Sequence, residues 1–197
     1  VFVRELVSNC SDALEKWRHT SLTTDGEDAS DLKVVITVDE KEGLIGFQDN
    51  GIGMSSAELV DNLGTIARSG SKAFLKQMAD KQETQGDVAS NIIGRFGVGF
   101  YSSFMVADNV TVYSRKRGEE VGHCWESQGD GSYKLSKAEG VEFGTKIVLK
   151  LREDSKDYAK ESRIKEIVGK YSSFVSFPVE LNGVKVNDVK ALWQKAE

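Results

Sequence analysis

Glu5, Asn9 and Asp12 stand at i, i+4 and i+7, so on a helix they share one narrow polar stripe with Lys16. A carboxylate, an amide and a second carboxylate in a row can orient a water and hold a hard cation through oxygen ligands. The same spacing serves the solvated face of an amphipathic helix. Asn and Asp are poor interior helix formers, however, and Lys or Glu would suit a solvated face better.

A second cluster is Asp49-Asn50-Gly51-Ile52-Gly53-Met54, placed where a strand ends. Asp-x-Gly alone is a turn. Two glycines one residue apart also let the backbone approach a flat ligand closely. An ionised Asp beside that gap only accepts hydrogen bonds, which suits an exocyclic amine such as that of adenine. A third cluster, Gly94-x-x-Gly97-x-Gly99, runs into a helix, where free N–H groups and the positive dipole end attract phosphate. It is not a Walker A loop, because no Gly-Lys-Ser/Thr follows, and it does not follow a strand as a dinucleotide fingerprint would. Finally, Gly144-Thr145 heads a strand whose apolar face is Ile147, Leu149 and Leu151, with Lys146, Lys150 and Arg152 opposite. The Thr145 hydroxyl needs a partner there, which a bound purine or the side chain of Asp49 would supply.

The elements that must position these groups are legible from periodicity. Residues 2–17 place Phe2, Leu6, Cys10, Ala13 and Trp17 on one helical face. Runs at 33–38 and 44–48, separated by Glu40-Lys41-Glu42-Gly43, predict a hairpin. Ser55 and Glu58 form a capping box, with Met54 and Leu59 at the staple positions and Gly64 as the stop. Residues 64–93 are polar, small and flexible in composition around one apolar turn at Ala73-Phe74-Leu75, as in a mobile lid or a plain surface loop. An apolar helix then runs through Val106. Strands follow at 109–115, 121–126, 132–136 and 143–151, a helix over about 157–172, and a last strand from Phe174 to Leu181. Early helices followed by meandering strands predict an α+β, two-layer sandwich with helices on one face of a mostly antiparallel sheet.

Composition removes several classes. Across 197 residues, 26 Lys and Arg against 31 Asp and Glu leave a net charge of −5, which lacks the basic footprint of a nucleic-acid binder. No apolar run approaches the ~18 residues of a membrane-spanning helix. Cys10 and Cys124, with His19 and His123, give neither a zinc spacing nor a disulfide framework, so a reducing compartment is expected. The chain opens mid-pattern at Val1 without an initiating Met, so any targeting segment is expected to lie outside it.

The order of the clusters resembles the Bergerat-type ATP-binding fold shared by gyrase, mismatch-repair, histidine-kinase and heat-shock chaperone ATPases. The segments Phe2-Val3-Arg4-Glu5-Leu6-Val7-Ser8-Asn9, Asn62-Leu63-Gly64-Thr65-Ile66-Ala67-Arg68-Ser69-Gly70 and Phe96-Gly97-Val98-Gly99-Phe100-Tyr101-Ser102 are similar to the ninety-kilodalton heat-shock chaperone family. The tail Phe174 to Gly183 is most similar to its mitochondrial branch, which implies the mitochondrial matrix.

That resemblance implies roles. Glu5 would activate the attacking water, and Asn9 would coordinate magnesium with the phosphates. Asp49 would accept from the adenine amine, with Gly53, Met54 and Thr145 completing the base pocket. Asp12 and Asn62 would contact water, sugar or phosphate, and Gly97, Val98, Gly99 and Phe100 would wrap the phosphates. Residues 1–185 would form the ATP-binding domain, with a lid at about 64–94, and 186–197 a linker into a middle domain that supplies a further Arg. The full-length protein would be a homodimer acting on client proteins and open to ATP-competitive inhibitors. This piece alone would be a monomer that binds ATP or ADP and hydrolyses slowly if at all. Arg95 stands where the family usually has Gln, and Cys10 where it has a small Ala. Mismatch-repair-type and histidine-kinase-type ATPases share the fold, and a non-hydrolysing nucleotide sensor is the reading from another class. The text of Asn62 to Ser71 and the net charge disfavour the mismatch-repair reading.

Overall fold

The computed structural model describes residues 1–23, 29–64, 98–171 and 175–187. The expected lid from 65 onward, Arg95, Gly97 and the tail at 188–197 lie outside the described residues.

Helix α1 (Phe2–Ser21) buries Phe2, Val3, Leu6, Val7, Cys10, Leu14 and Trp17. This face is wider than one stripe because the helix has two neighbours. It lies on the sheet along strand β2 (Leu44–Asp49), and a later helix packs beside it. Strand β1 (Val34–Asp39) pairs antiparallel with β2 through the 40–43 turn, where Asp39 Oδ1 accepts from the Lys41 and Glu42 amides. Helix α2 (Ser56–Leu59) starts on the predicted capping box: Ser55 Oγ accepts from Glu58 N, and Glu58 Oε2 accepts from Ser55 N. It continues into a π-helical turn at Val60–Gly64, a device that often marks functional ground.

The apolar helix expected through Val106 is two short turns, α3 (Val98–Tyr101) and α4 (Ser103–Val106). The break falls at Ser102, whose hydroxyl donates back to the Gly99 carbonyl and competes with helix continuation. Strands β3 (Ala107–Arg115), β4 (Gly122–Ser127), β5 (Lys134–Ala138) and β6 (Gly144–Leu151) follow. Strand β5 starts two residues later than expected because Ser132 belongs to the turn, its carbonyl accepting from Ser127 Oγ at 2.6 Å. The predicted 157–172 helix begins only at Glu161, as α5 (Glu161–Tyr171), after a 3₁₀ segment at Glu153–Ala159. The last strand is also shorter, β7 (Val179–Leu181), because Pro178 has no amide to extend the ladder. An unforeseen β8 (Val184–Lys185) returns through the Asn182-Gly183 turn, both residues at positive φ (47° and 82°).

The strand order is β5-β4-β3-β6-β2-β1-β7-β8, antiparallel throughout except for the parallel β1–β7 pair. Val34, Ile36, Ile45, Phe47, Val110, Val112, Ile147 and Leu149 share one core with the helices, while Thr37, Gln48, Thr111, Lys146 and Lys150 alternate on the other face. The architecture is therefore the expected α+β arrangement of helices on one face of a mostly antiparallel sheet. Val186 N donates to Val179 O, and Asn187 bridges Val179 N and Phe177 O, so hydrogen bonding to the sheet continues through Asn187.

Candidate functional site

Asp49 is the last residue of β2 and is 3% exposed. The register sets it directly opposite Thr145 at the start of β6. Its Oδ1 accepts from the Gly51 amide at 2.9 Å, which closes the turn after the strand. Burial pushes its carboxyl up to about 7, against the opposing pull of the Gly51 amide, the Cys10 thiol, the Thr145 amide and the Arg117 guanidinium. Cys10 in turn is held firmly protonated by burial and by Asp49, so its S–H serves as a donor to the carboxylate. The residue read from sequence as a small hydrophobe thus also touches the principal acceptor of the site.

The turn after Asp49 lies against helix α1. A Cβ on Gly51 would stand 2.6 Å from both C and O of Ala13, and the Ile52 amide donates to Ala13 O at 3.2 Å. Gly53 has φ +69°, and a Cβ there would stand 2.1 Å from the Arg115 carbonyl oxygen. The spaced glycines therefore wedge the turn between α1 and the end of β3, with no room for side chains.

The Thr145 hydroxyl does not depend on Asp49 or a ligand for its partner. Its Oγ1 lies 2.8 Å from Ser114 Oγ. Ser114 Oγ also donates to Gly144 O at 3.0 Å and accepts from Met54 N at 2.8 Å. With the one Ser114 proton on Gly144, the Thr145 proton goes to Ser114, leaving the Thr145 lone pairs open to another donor. Ser114 escaped the sequence reading, although a signal existed. It follows Val110 and Val112 on the buried face of β3, where a polar residue needs a reason.

On α1, Glu5 is half-buried, while Asn9 and Asp12 are exposed. Glu5 meets the start of α3: a Cβ on Gly99 would stand 2.4 Å from Glu5 Oε2. The first and third clusters thus converge across the fold. Asp12 also borders a cleft of about 210 Å³ between α1 and α5, together with Val7, Ser8, Ser11, Ile167 and Tyr171. Phe100 turns its ring into the core, edge-on to Phe104 and Trp125, so only its backbone is left for a ligand. Asn62 sits on the π turn with its Nδ2 3.7 Å from Met54 Sδ, which brings it to the same turn as Asp49. Val98 opens α3, and Gly97 precedes the described segment. Among the described residues no group of three or more His, Cys, Asp or Glu could hold a metal by itself. No described helix is long and apolar enough to cross a membrane.

An acidic acceptor buried at a strand end, a glycine turn seated on a polar-striped helix and a mostly antiparallel sheet define one class of nucleotide-binding domain. The family described as histidine kinase-, DNA gyrase B- and HSP90-like ATPase matches residues 2–139, and the chain belongs to it, on its heat-shock chaperone branch. It is 52% identical over 194 residues to heat shock protein 75 kDa, mitochondrial, of Bos taurus, covering 98% of this chain and 27% of that protein. It is 46% identical to the mitochondrial TNF receptor-associated protein 1 homolog of Dictyostelium discoideum, covering 98% and 27%. It is 47% identical to chaperone protein HtpG of Oleidesulfovibrio alaskensis, covering 99% and 31%. The chain thus spans less than a third of the length of these relatives.

Proposed function

We propose that this chain is the nucleotide-binding domain of an ATP-dependent molecular chaperone, binding ATP and hydrolysing it slowly. The observation that carries the proposal is the buried Asp49, held opposite Thr145 and beside a glycine turn pressed onto α1. A carboxylate so placed accepts from a purine amine, while Thr145, Met54 and Gly53 form the walls of the base pocket. Two of the relatives named above, a heat shock protein and a chaperone protein by name, support the same reading.

Glu5 is the water-activating residue in this proposal, held near the phosphates by contact with the start of α3. Asn9, an exposed neutral oxygen donor one turn further along, would hold magnesium shared with the phosphates. Glu5 and Asn9 offer oxygen ligands one turn apart on α1, the donor chemistry that a hard cation takes. When bound, magnesium would offset phosphate charge, and the chain's own residues would position water and base. In the same reading Val98, Gly99 and Phe100 would meet phosphate through their backbone, as would Gly97, which lies outside the described residues, and Asp12 and Asn62 would meet the ribose side or its water. Residues 1–185 act as the ATP domain, with a lid at about 64–94 and a middle domain beyond.

At the level of the full protein, the proposal extends to homodimer cycling, client proteins as partners and sensitivity to ATP-competitive inhibitors. The mitochondrial names of two relatives favour the mitochondrial matrix over the cytoplasm. Calorimetric titration with ADP tests the core of the reading: Asp49→Asn should lose most of its affinity, and an unchanged affinity would refute it. Release of free phosphate, without phosphorylated protein, separates this activity from that of a histidine kinase.

A further inference from the structure

Arg117, in the turn between β3 and β4, engages three consecutive carbonyls of the segment that follows Asp49. Its Nη2 donates to Asn50 O at 2.7 Å, its Nε to Gly51 O at 3.2 Å, and its backbone amide to Ile52 O at 2.9 Å. The guanidinium stands 4.5 Å from the ring centroid of Trp17 on α1 and 5.0 Å from that of Phe143, just before β6. Trp17 is 2% exposed, so one face of the cation rests on the core. One side chain therefore joins the Asp49 turn, α1 and the entry to β6, three elements otherwise far apart in sequence. A planar, multi-donor fork can make these contacts together, whereas an ammonium cannot reproduce them.

We propose that Arg117 is a positioning residue for purine recognition: its guanidinium fixes the Asn50 and Gly51 carbonyls against α1 so that Asp49 presents its acceptor to the base. This rests on the reading of Asp49 as the purine acceptor. Four groups act on the Asp49 carboxyl: the Cys10 thiol from α1, the Gly51 amide from its own turn, the Thr145 amide from β6 and Arg117. Among them only Arg117 carries a formal positive charge, so it favours the ionised, accepting form.

The test is titration calorimetry of this chain with ADP and with inosine diphosphate, whose base replaces the amine by a carbonyl, between pH 6 and pH 8.5. For Arg117→Ala we expect ADP affinity to fall about tenfold or more, with a smaller loss for inosine diphosphate, so that discrimination narrows. The pH at which ADP affinity is half developed should move upward. Arg117→Lys keeps the charge without the fork, so it should retain the wild-type pH midpoint while still losing affinity, and it serves if the alanine variant does not fold. Equal losses for both nucleotides at every pH, in either variant, would show a merely structural role and overturn the proposal. Asp49→Asn is the control. If it leaves ADP affinity intact, the reading of Asp49 fails; if it loses affinity while both Arg117 variants bind like wild type, the Arg117 inference alone fails.

Discussion

The carbonyl oxygen of Asp49 lies 2.1 Å from where a Cβ on Gly144 would stand. Gly144 also has φ +107°, outside the range that L side chains favour. The last residue of β2 and the first of β6 are thus pressed together at the point where the proposed base pocket begins. That closeness brings Thr145, one residue on, opposite Asp49.

Gly144→Ala should accordingly cost at least about 3 kcal/mol, combining a backbone clash with a disfavoured dihedral. Gly140→Ala makes the contrast. Its φ is +68° with nothing within 4 Å of a new Cβ, so it should cost only about 1 kcal/mol. Urea denaturation of the two variants side by side checks the difference, and equal costs would show that the Asp49 contact is unimportant.

Asp49 trades stability for recognition. Its carboxyl binds a proton more tightly in the folded protein, at about 7, than at its ordinary value of 3.8, so its contribution to stability falls as pH rises through that interval. Asp49→Asn removes the penalty. The variant should be more stable than wild type at pH 8 by up to about 4 kcal/mol, with the advantage gone near pH 4. Its nucleotide affinity should fall about a hundredfold, because an amide presents a donor where the amine needs an acceptor. Chemical denaturation at the two pH values, together with calorimetry, reads both halves.

Glu5→Ala separates binding from hydrolysis. In a chain extended through the following domain, phosphate release should drop by about 10²- to 10⁴-fold while ATP affinity stays within about twofold. A parallel collapse of affinity would instead make Glu5 a binding residue.

Ser114→Ala should disturb the same pocket from below. It removes the acceptor for the Met54 amide, the donor to Gly144 O and the partner of the Thr145 hydroxyl. The expected cost is about 2 to 4 kcal/mol, with weakened ADP binding. A melting temperature like that of wild type would mean that water takes over all three contacts.

Much of this protein follows from local pattern. The helical spacing of Phe2, Leu6, Cys10 and Trp17, the Ser55–Glu58 capping box and the alternation of Ile147, Leu149 and Leu151 depend on periods of 3.6 or 2 and on near neighbours. These were legible in the sequence, as were the motif order and the family it implied. Element ends were less so. Ser102 breaks a helix through its own hydroxyl, and Asn182-Gly183 starts a hairpin too short to have a visible alternation.

Contacts between distant segments were decided only by the folded chain. Sequence could name Asp49 and Thr145, but the antiparallel register of β2 and β6 made them neighbours. Ser114 became the partner of Thr145 because β3 lies beside β6, and Arg117 reached Asn50, Gly51 and Trp17 because a turn folds back over α1. Burial moved Asp49 from an ordinary carboxyl to one that titrates near neutrality. Desolvation and cross-strand pairing depend on what surrounds a residue in space, and spacing along one chain encodes neither directly.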